Sequence, residues 1–352
     1  MSNPKILTIQ TSVPARCYSQ EAITDFYIQL SNTQGKHRER AIRSVMNQSG
    51  VSFRHAAVEL QFFDEPKTTQ QRNDRYMAEA LPLGEHVIQS GLERAGVMAQ
   101  DIDSLIIVSC IGFNVPGLDL LLAGRMGMSP HLTRTCIFGM GCYGAFPGIK
   151  RALESVAVDA NRLALVLSLE LCSAHLQFDD ATETVVSTSL FGDGAGMALI
   201  GGAQSAQAGP TLIDSETFCD YQTLGHMTFN VTDHGFRMYL SSYVADVLAT
   251  NIGEFVNRLL LRNNLRCKDV KFWAIHPGSK RIVEYIQQKL ALTDEQVSYS
   301  LQTLRDYGNM SSATVLFVLD RMMQAGMPQR GDYAVMMAFG PGLTMESILL
   351  KW

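Results

Sequence analysis

The sequence predicts an α/β protein made of two halves, each containing a sheet. Three observations support this fold class. Short apolar runs typical of buried strands alternate with longer segments of helical periodicity, an order that indicates sheets covered by helices. The chain has 352 residues, of which 46% are hydrophobic and 18% charged, which is enough for a large core. A stretch rich in Gly, Ala, Ser and Gln, at 201–210, separates two sets of such runs.

Eight strands are expected, four in each half. In chain order they are KILTI at 5–9, SLIIVSC at 104–110, RLALVLSLEL at 162–171, GMALIGG at 196–202, TLID at 211–214, KFWAI at 271–275, YAVMMAF at 333–339 and SILL at 347–350. Strands that alternate with helices usually run parallel, so we expect one parallel sheet in each half. The linker GGAQSAQAGP places the boundary between residues 1–203 and residues 204–352.

The first candidate functional residue is Cys142, within GMGCYGAF at 139–146. A free thiol has a pKa of about 8.5, so nucleophilic chemistry needs a local cause of thiolate formation. Glycines on both sides permit a sharp turn, and the residues from Tyr143 to Glu154 have helical spacing. Cys142 is therefore expected at a helix N-terminus, where the helix dipole and a nearby imidazolium would lower the thiol pKa. The alternative is a small buried hydrophobic residue, the commonest role of a free cysteine.

Two further candidates follow in the second half, His276 in FWAIHPG and Asn309 in YGNMSSAT. His276 ends an apolar run and precedes Pro and Gly, which indicates a strand that ends in a turn. Taken singly, such a histidine is more often structural, and Asn309 could simply cap the helix predicted from ATVLFVLDRMM at 313–323. A thiol, an imidazole and an amide together form a specific chemical set. The imidazole and the amide can each donate a hydrogen bond to a developing oxyanion.

Such a set suits carbon–carbon bond formation from thioesters. The cysteine would take an acyl group, while the imidazole and the amide polarise the thioester carbonyl of a malonyl extender and stabilise the enolate left by decarboxylation. This chemistry calls for no metal or redox cofactor. The seven cysteines form no CxxC pair, and the chain contains no HExxH or GxxxxGK[ST] string.

Five strings in this order resemble the type III polyketide synthases, the chalcone synthase-like branch of the thiolase superfamily: GMGCYGAF, LFGDGAG at 190–196, FWAIHPG, YGNMSSAT and FGPG at 339–342. The resemblance implies a pseudo-duplicated, five-layer αβαβα fold. It also implies that Cys142 carries the acyl group, and that His276 and Asn309 promote decarboxylation and stabilise the oxyanion. Phe191 and Phe236 match the two gatekeeper phenylalanines between the CoA tunnel and the cavity; an ordinary core aromatic is the alternative for each.

The other branches of the superfamily fit less well. Initiating ketosynthases usually carry glutamine and alanine after the histidine, where this chain has Pro277 and Gly278. Elongating ketosynthases have a second histidine in place of Asn309, and thiolases have a second cysteine near the C-terminus, which AFGPGLTMES lacks. Hydroxymethylglutaryl-CoA synthases need a catalytic glutamate, for which no motif is evident.

The same resemblance suggests substrate-binding residues. The cationic cluster that binds CoA phosphates in plant members is only partly present, and the nearest substitutes are Arg38, Arg40, Arg43, Lys280 and Arg281. Each of these could instead coat a solvated surface. Residues at or near cavity positions of the family are Cys110, Ile111, Val115, Cys172, His175, Gly225 and Ser311. The segment ELCSAHLQFDD at 170–180 resembles that of bacterial long-chain synthases, with Cys172 as a small wall residue, although Cys172 and Ile111 could be ordinary core.

The predicted function is therefore loading of an acyl starter, from CoA or a carrier protein, extension with malonyl-CoA, and release of a pyrone or resorcinol. Medium or long fatty acyl starters are favoured over an aromatic starter. A single-condensation ketosynthase and a non-catalytic partner subunit are the rivals. The resemblance implies a homodimer, with GFNVPGLD at 112–119 reaching the partner's cavity.

Charge and hydrophobicity limit the binding partners and the cellular location that we expect for this protein. A net charge of −5 and a pI near 5.9 argue against nucleic-acid binding. The sequence contains no apolar run long enough for a membrane span and no signal-peptide pattern at MSNPKILTIQ, so a cytoplasmic location is expected.

Overall fold

A computed structural model of the chain describes residues 3–31, 35–179, 181–205, 208–241, 244–326 and 328–352. Residues 206 and 207 of the predicted linker lie outside the described residues. The strands are β1 (Lys5–Ser12), β2 (Arg16–Ser19), β3 (Phe53–Ala56), β4 (Ser104–Val108), β5 (Thr133–Ile137), β6 (Leu163–Leu171), β7 (Asp193–Gly201), β8 (Thr211–Cys219), β9 (Met227–Thr232), β10 (Gly235–Leu240), β11 (Val270–Ile275), β12 (Tyr333–Gly340) and β13 (Thr344–Lys351).

The helices are α1 (Gln20–Leu30), α2 (Lys36–Gln48), α3 (Thr69–Ala95), α4 (Leu118–Arg125), α5 (Ala145–Ala157), α6 (Thr182–Leu190), α7 (Val244–Arg262), α8 (Lys280–Leu290), α9 (Asp294–Tyr307) and α10 (Thr314–Gln324). All eight strands predicted from the sequence are present. The strands β2, β3, β5, β9 and β10 were not predicted, and β9 and β10 form a separate hairpin.

The main sheet repeats one pairing pattern in its two parts. The first part has the order β1-β7-β6-β4-β5 and the second the order β8-β13-β12-β11, with β1 and β8 joined through the register pair Lys5 and Thr211. In each part, moving outward from the join, the first two pairings are antiparallel and the third is parallel. The two parts therefore have matching topology, as a duplicated fold requires.

The prediction of purely parallel sheets was wrong. Strands β12 and β13 are connected by only the three residues Pro341–Leu343, and a parallel connection needs a dozen or more residues. The two strands therefore have to pair antiparallel. The alternation of strands and helices along the chain does not reveal that β13 runs antiparallel to β12, because β13 is as apolar as the neighbouring strands.

The molecule has five layers, which are evident from the alternate side chains of each strand facing opposite cores. In β4, Leu105 and Ile107 face the core shared with α3 and α4, whereas Ile106 and Val108 face the core shared with α5 and α10. The second part of the sheet behaves in the same way: Met336 in β12 faces α5 and α10, and the next residue along the strand faces α7 and α8. The order is helices, sheet, the central pair α5 and α10, sheet, helices. Both central helices begin next to predicted catalytic motifs.

Candidate active site

Cys142 lies in a turn of 3-10 helix, Gly141–Tyr143, immediately before α5. The turn depends on two glycines in the left-handed region, Gly139 at φ +81° and Gly141 at φ +67°. A Cβ on Gly141 would lie 2.4 Å from the Cδ of Pro341, so this position also has no room for a side chain. The thiol is thereby held at the N-terminal end of α5, as the sequence predicts.

Asn309 is fixed through its backbone by the turn that contains Phe191. Its N–H donates to the carbonyl of Leu190 at 2.8 Å, and its carbonyl accepts from the N–H of Gly192 at 3.0 Å. The side-chain Oδ1 accepts from the N–H of Ser311 at 2.8 Å, and Nδ2 donates to the carbonyl of Gly278 at 3.2 Å. One Nδ2 hydrogen remains available to a substrate. Asn309 does not cap α10, which begins five residues later.

His276 directly follows β11, and its backbone N–H donates to the carbonyl of Met337 at 2.8 Å. The side chain is buried, and neither ring nitrogen has a hydrogen-bond partner among the described residues. Burial lowers the pKa of His276 to about 3, because the charged imidazolium would lose its hydration. The ring is therefore neutral at physiological pH, with one N–H donor and one acceptor nitrogen unused.

The expectation of a lowered thiol pKa is wrong. Burial raises the pKa of Cys142 to about 11, and hydrogen bonding with Ser311 and Asn309 opposes this rise only in part. The expected imidazolium beside the thiol is also absent, since His276 is neutral. Both groups thus rest uncharged.

Cys142, His276 and Asn309 line one small apolar cavity of about 20 Å³, together with Phe339 and Ile282 of α8. The fold therefore brings together three residues that are 134 and 33 positions apart along the chain, because β11 and the start of α10 lie beside the turn before α5.

Cys142 also lines a second cavity, of about 390 Å³. Five of the predicted cavity residues line it: Cys110, Ile111, Phe191, Phe236 and Ser311. Its walls are mainly apolar. The thiol thus lines both the small cavity, where the imidazole and the amide lie, and the larger apolar cavity.

The remaining predicted cavity residues lie elsewhere. Cys172 and His175 line a narrow cavity of about 30 Å³, whose wall also includes Phe191 and Phe236. The His175 ring stacks on Phe236 at 4.3 Å, and its Nδ1 accepts from the backbone N–H of Phe236 at 3.1 Å. Gly225 is exposed and Val115 is 89% exposed, and neither lines a cavity described here.

Sequence reasoning missed most of the wall that the β9–β10 hairpin contributes. Met227, Phe229, Val231 and Met238 of this hairpin line the large cavity, beside the predicted Phe236. The signal was present, since apolar residues alternate through MTFNVT and GFRMYL on both sides of a Gly-containing turn.

Glu170, a buried carboxyl group near the thiol, was also missed as a site residue. It accepts hydrogen bonds from the N–H of Cys110 at 2.9 Å and from the hydroxyl of Ser312 at 2.5 Å. Burial raises the pKa of Glu170 to about 7, so its ionisation state changes near neutral pH. The sequence signal that could have revealed Glu170 is an acidic residue in the middle of an apolar strand.

The predicted CoA-binding cations lie on two neighbouring helices. Arg38, Arg40 and Arg43 are on α2, and Lys280 and Arg281 begin α8. The C-terminal end of α2 approaches the start of α8, because a Cβ on Gly50, just beyond α2, would lie 3.0 Å from the Cβ of Lys280.

Several of these cations are already paired. Arg43 bonds to Asp25 at 2.7 Å and Glu39 at 3.0 Å, and Lys280 lies 3.6 Å from Glu284. A phosphate would therefore have to compete for these two.

Two negative findings concern the described residues alone. They include no group of three or more His, Cys, Asp and Glu side chains arranged to hold a metal ion. Within the same ranges, no helix combines the length and apolar character needed to cross a membrane.

Comparison with known proteins matches nearly the whole chain. The N-terminal domain of the chalcone and stilbene synthases matches residues 2–204, and the C-terminal domain matches residues 214–352. The chain is 31% identical over 350 residues to the 1,3,6,8-tetrahydroxynaphthalene synthase of Streptomyces peucetius subsp. caesius, covering 99% of this chain and 93% of that protein. It is 30% identical over 353 residues to the alpha-pyrone synthesis polyketide synthase-like Pks18 of Mycobacterium tuberculosis, covering 97% and 89%.

The fold comparison agrees. The crystal structure of PKS-I from the brown alga Ectocarpus siliculosus superposes with a TM-score of 0.93 at 27% identity, covering 100% of this chain and 98% of that one. The motifs, the duplicated five-layer fold and these matches together show that the chain belongs to the chalcone and stilbene synthase family and is a type III polyketide synthase, an acyltransferase.

Proposed function

We propose that this enzyme loads a medium-chain or long-chain fatty acyl group onto Cys142, extends it with malonyl-CoA, and releases a cyclised pyrone or resorcinol. The single observation that carries this proposal is that Cys142 lines two cavities. One holds His276 and Asn309, and the other is a larger apolar chamber of about 390 Å³. A growing acyl chain and an extender unit can therefore reach the sulfur through different cavities.

Loading begins with a neutral thiol and a neutral imidazole. As the sulfur attacks the thioester carbonyl, the thiol proton moves to the unprotonated ring nitrogen of His276, which has no other partner among the described residues. The bond between the acyl carbon and the CoA sulfur then breaks, and the departing CoA thiolate takes the proton back from the imidazolium. Cys142 is left as a thioester and His276 is again neutral.

Extension uses the same groups as hydrogen-bond donors. The malonyl carboxylate leaves as carbon dioxide, and its bonding electrons form an enolate whose oxygen accepts from Asn309 Nδ2 and from the N–H of His276. The enolate carbon attacks the acyl carbonyl on Cys142, and the sulfur departs as a thiolate, which takes up a proton from solvent to restore the neutral thiol. Burial keeps His276 neutral, which supports this step. A neutral imidazole donates a hydrogen bond to the enolate oxygen without transferring its proton to the enolate carbon.

The apolar cavity supports an aliphatic starter. Its volume of about 390 Å³ is between two and three times that of a cavity of roughly 150 Å³ that holds benzene. It can thus hold an aromatic or lactone ring with a short chain. A longer tail has to enter the narrow cavity at Cys172 and His175. Each methylene buried there contributes about 0.8 kcal/mol, or roughly fourfold in binding.

The activities for which the relatives are named leave the starter open. One is a 1,3,6,8-tetrahydroxynaphthalene synthase, another a 3,5-dihydroxyphenylacetyl-CoA synthase, and a third is named for alpha-pyrone synthesis. An aromatic starter is therefore the alternative within the family, and a single condensation is the alternative reaction.

The deciding experiment is incubation of the purified protein with malonyl-CoA and acyl-CoAs from acetyl through benzoyl to C18. Products and the mass on Cys142 are read by mass spectrometry. Alkylpyrones or alkylresorcinols are expected from the fatty acyl starters. Ring products from benzoyl-CoA alone would replace the aliphatic proposal, and an open β-ketoacyl product would indicate a single condensation. A protein inert towards every thioester would favour a partner subunit or a carrier-protein donor.

We also propose that CoA phosphates lie between α2 and the start of α8, and that the chain forms a homodimer. The approach of Gly50 to Lys280 supports the first point. Exposure of Phe113 (63%) and Val115 (89%) in the loop 112–119 supports the second, since a partner would cover them. Sedimentation analysis tests the dimer, and the effect of Lys280→Gln on the KM for malonyl-CoA tests the phosphate site. The boundary between residues 203 and 204 stays a prediction.

A further inference from the structure

A groove of about 670 Å³ is lined by none of the three catalytic residues. We call it the Arg72 groove, after the buried arginine at its base. The lining residues used below are Leu30, Phe63, Lys67, Arg72, Gln177 and Phe178. The groove lies where the start of α3 meets the segment that follows β6.

Arg72 is only 6% exposed, yet its hydrogen bonds are all to backbone carbonyls. Its Nη1 donates to Ala174 at 2.9 Å and Leu176 at 3.1 Å, and Nε donates to Lys67 at 3.4 Å. Nη2 has no hydrogen bond within the described residues, and no carboxylate in them lies within ion-pair distance of the guanidinium. A nearly buried cation thus has one donor nitrogen unused and no counter-charge.

This arrangement is energetically unusual. A buried charge is stabilised by an opposite charge or by a full set of hydrogen bonds, and a cation without either is costly. Burial lowers the pKa of Arg72 to about 10, and no neighbouring carboxylate opposes this shift. Asp64 and Glu65 also line the groove, but both are exposed, and Glu65 already lies 3.4 Å from Lys67.

The walls beside the cation are apolar. The guanidinium carbon of Arg72 lies 5.6 Å from the centre of the Phe63 ring, and Phe63 meets Phe178 edge-on at 4.9 Å. Leu30 adds a further aliphatic surface. The amide of Gln177 is held by the carbonyls of His175 and His234, so it is not the principal donor.

We propose that the Arg72 groove binds a carboxylate that carries an apolar chain. The carboxylate accepts from Nη2 of Arg72 and from the ammonium of Lys67, and the chain lies against Phe63 and Phe178. Arginine suits this ligand, because its planar guanidinium matches the geometry of a carboxylate and its face packs on aromatic rings. The site does not depend on the chemistry proposed for Cys142.

The carboxylate could belong to a separate molecule or to the far end of an acyl chain held on Cys142. The Arg72 groove shares Leu176 and Gln177 with the narrow cavity at His175, and that cavity shares Phe191 and Phe236 with the large one. The ligand chemistry is the same in both cases, so the experiment has an arm for each source.

The first arm is calorimetric titration of the whole protein with sodium decanoate, with 1-decanol as the uncharged probe. We expect one saturable decanoate site, and at least about tenfold weaker binding in Arg72→Gln, the loss of a charge-assisted hydrogen bond. Arg72→Lys should recover part of the affinity. The matched control is Arg75→Gln: Arg75 is on the same helix but pairs with Glu59 at 2.6 Å and Glu79 at 3.0 Å, so binding should stay within about twofold.

Lys67→Gln keeps the proposal falsifiable if Arg72→Gln does not fold, since the Lys67 side chain pairs with the exposed Glu65 and its replacement leaves the carbonyl contacts of Arg72 intact. It should weaken decanoate binding severalfold. The proposal is overturned if the wild type shows no saturable site, if decanol binds as well as decanoate, or if folded Lys67→Gln and Arg72→Gln both bind decanoate like the wild type. The last result would place the fatty acid in the catalytic cavity.

The second arm compares loading of Cys142 by dodecanoyl-CoA and by the mono-CoA thioester of dodecanedioic acid. If the groove receives the far end of the tethered chain, Arg72→Gln slows the dicarboxylic substrate alone. Equal rates in the variant and the wild type, with decanoate binding lost, assign the site to a separate molecule. A general failure of loading would count against the proposed function and not against the groove.

Discussion

Replacing Asn309 with alanine should slow decarboxylation while leaving acyl loading intact. The side chain offers one Nδ2 hydrogen to the enolate, because the other is held by the carbonyl of Gly278 at 3.2 Å. Removing one preorganised oxyanion donor typically costs about a hundredfold to a thousandfold in rate, which is roughly 3 to 4 kcal/mol of transition-state stabilisation. Loading uses Asn309 only through its partial support of the Cys142 thiolate, which burial outweighs, so the loading rate should change by less than about threefold.

The substitution also removes an acceptor, since Asn309 Oδ1 receives the N–H of Ser311 at 2.8 Å. Leaving that N–H unsatisfied should lower the free energy of unfolding by about 1 to 3 kcal/mol. Thermal unfolding therefore accompanies the kinetics, to show that the variant is folded at the assay temperature.

The assay measures release of labelled carbon dioxide from carboxyl-labelled malonyl-CoA, in parallel with the mass of Cys142 after incubation with an acyl-CoA. Asn230→Ala is the matched control, because Asn230 lines the large cavity but not the chamber of His276. It should leave release unchanged within about twofold. Unchanged release in Asn309→Ala would remove the amide from the oxyanion site, and an equal loss of loading would show that Asn309 acts through general structure.

Three further predictions concern the thiol, a buried acid and the tunnel. Cys142→Ala should abolish acyl loading, as measured by intact-protein mass, and turnover by that variant would refute the acyl-cysteine. Because burial raises the pKa of Glu170 to about 7, the folded protein binds its proton more tightly than the unfolded chain; the contribution to stability is present below about pH 4.5 and is lost as pH rises towards 7. Denaturant midpoints of wild type and Glu170→Gln should therefore diverge across that interval, and parallel profiles would contradict the assignment. Cys172→Phe should shorten the accepted acyl-CoA starters, and an unaltered chain-length profile would return Cys172 to the core.

Local sequence determined the parts of this protein that depend on neighbours in the chain. Gly139 and Gly141 around Cys142 predict a turn that only residues tolerant of positive φ can form, and the turn is present. The eight apolar runs predict strands because a buried strand needs apolar side chains on both faces, and each run is a strand. The five motif strings, taken in their order along the chain, were sufficient to indicate the family.

Tertiary structure alone decided the direction of the strands and the ionisation of the site. The short connection between β12 and β13 reverses the chain, and the ionisation of Cys142 and His276 follows from how completely other segments cover them. The sequence predicted a thiolate beside an imidazolium, since it showed a helix start and a histidine but not how deeply the two side chains are buried. The β9–β10 hairpin, not Gly225, supplies much of the cavity wall. Burial and pairing depend on which distant segments pack together, and spacing along the chain does not encode those contacts locally.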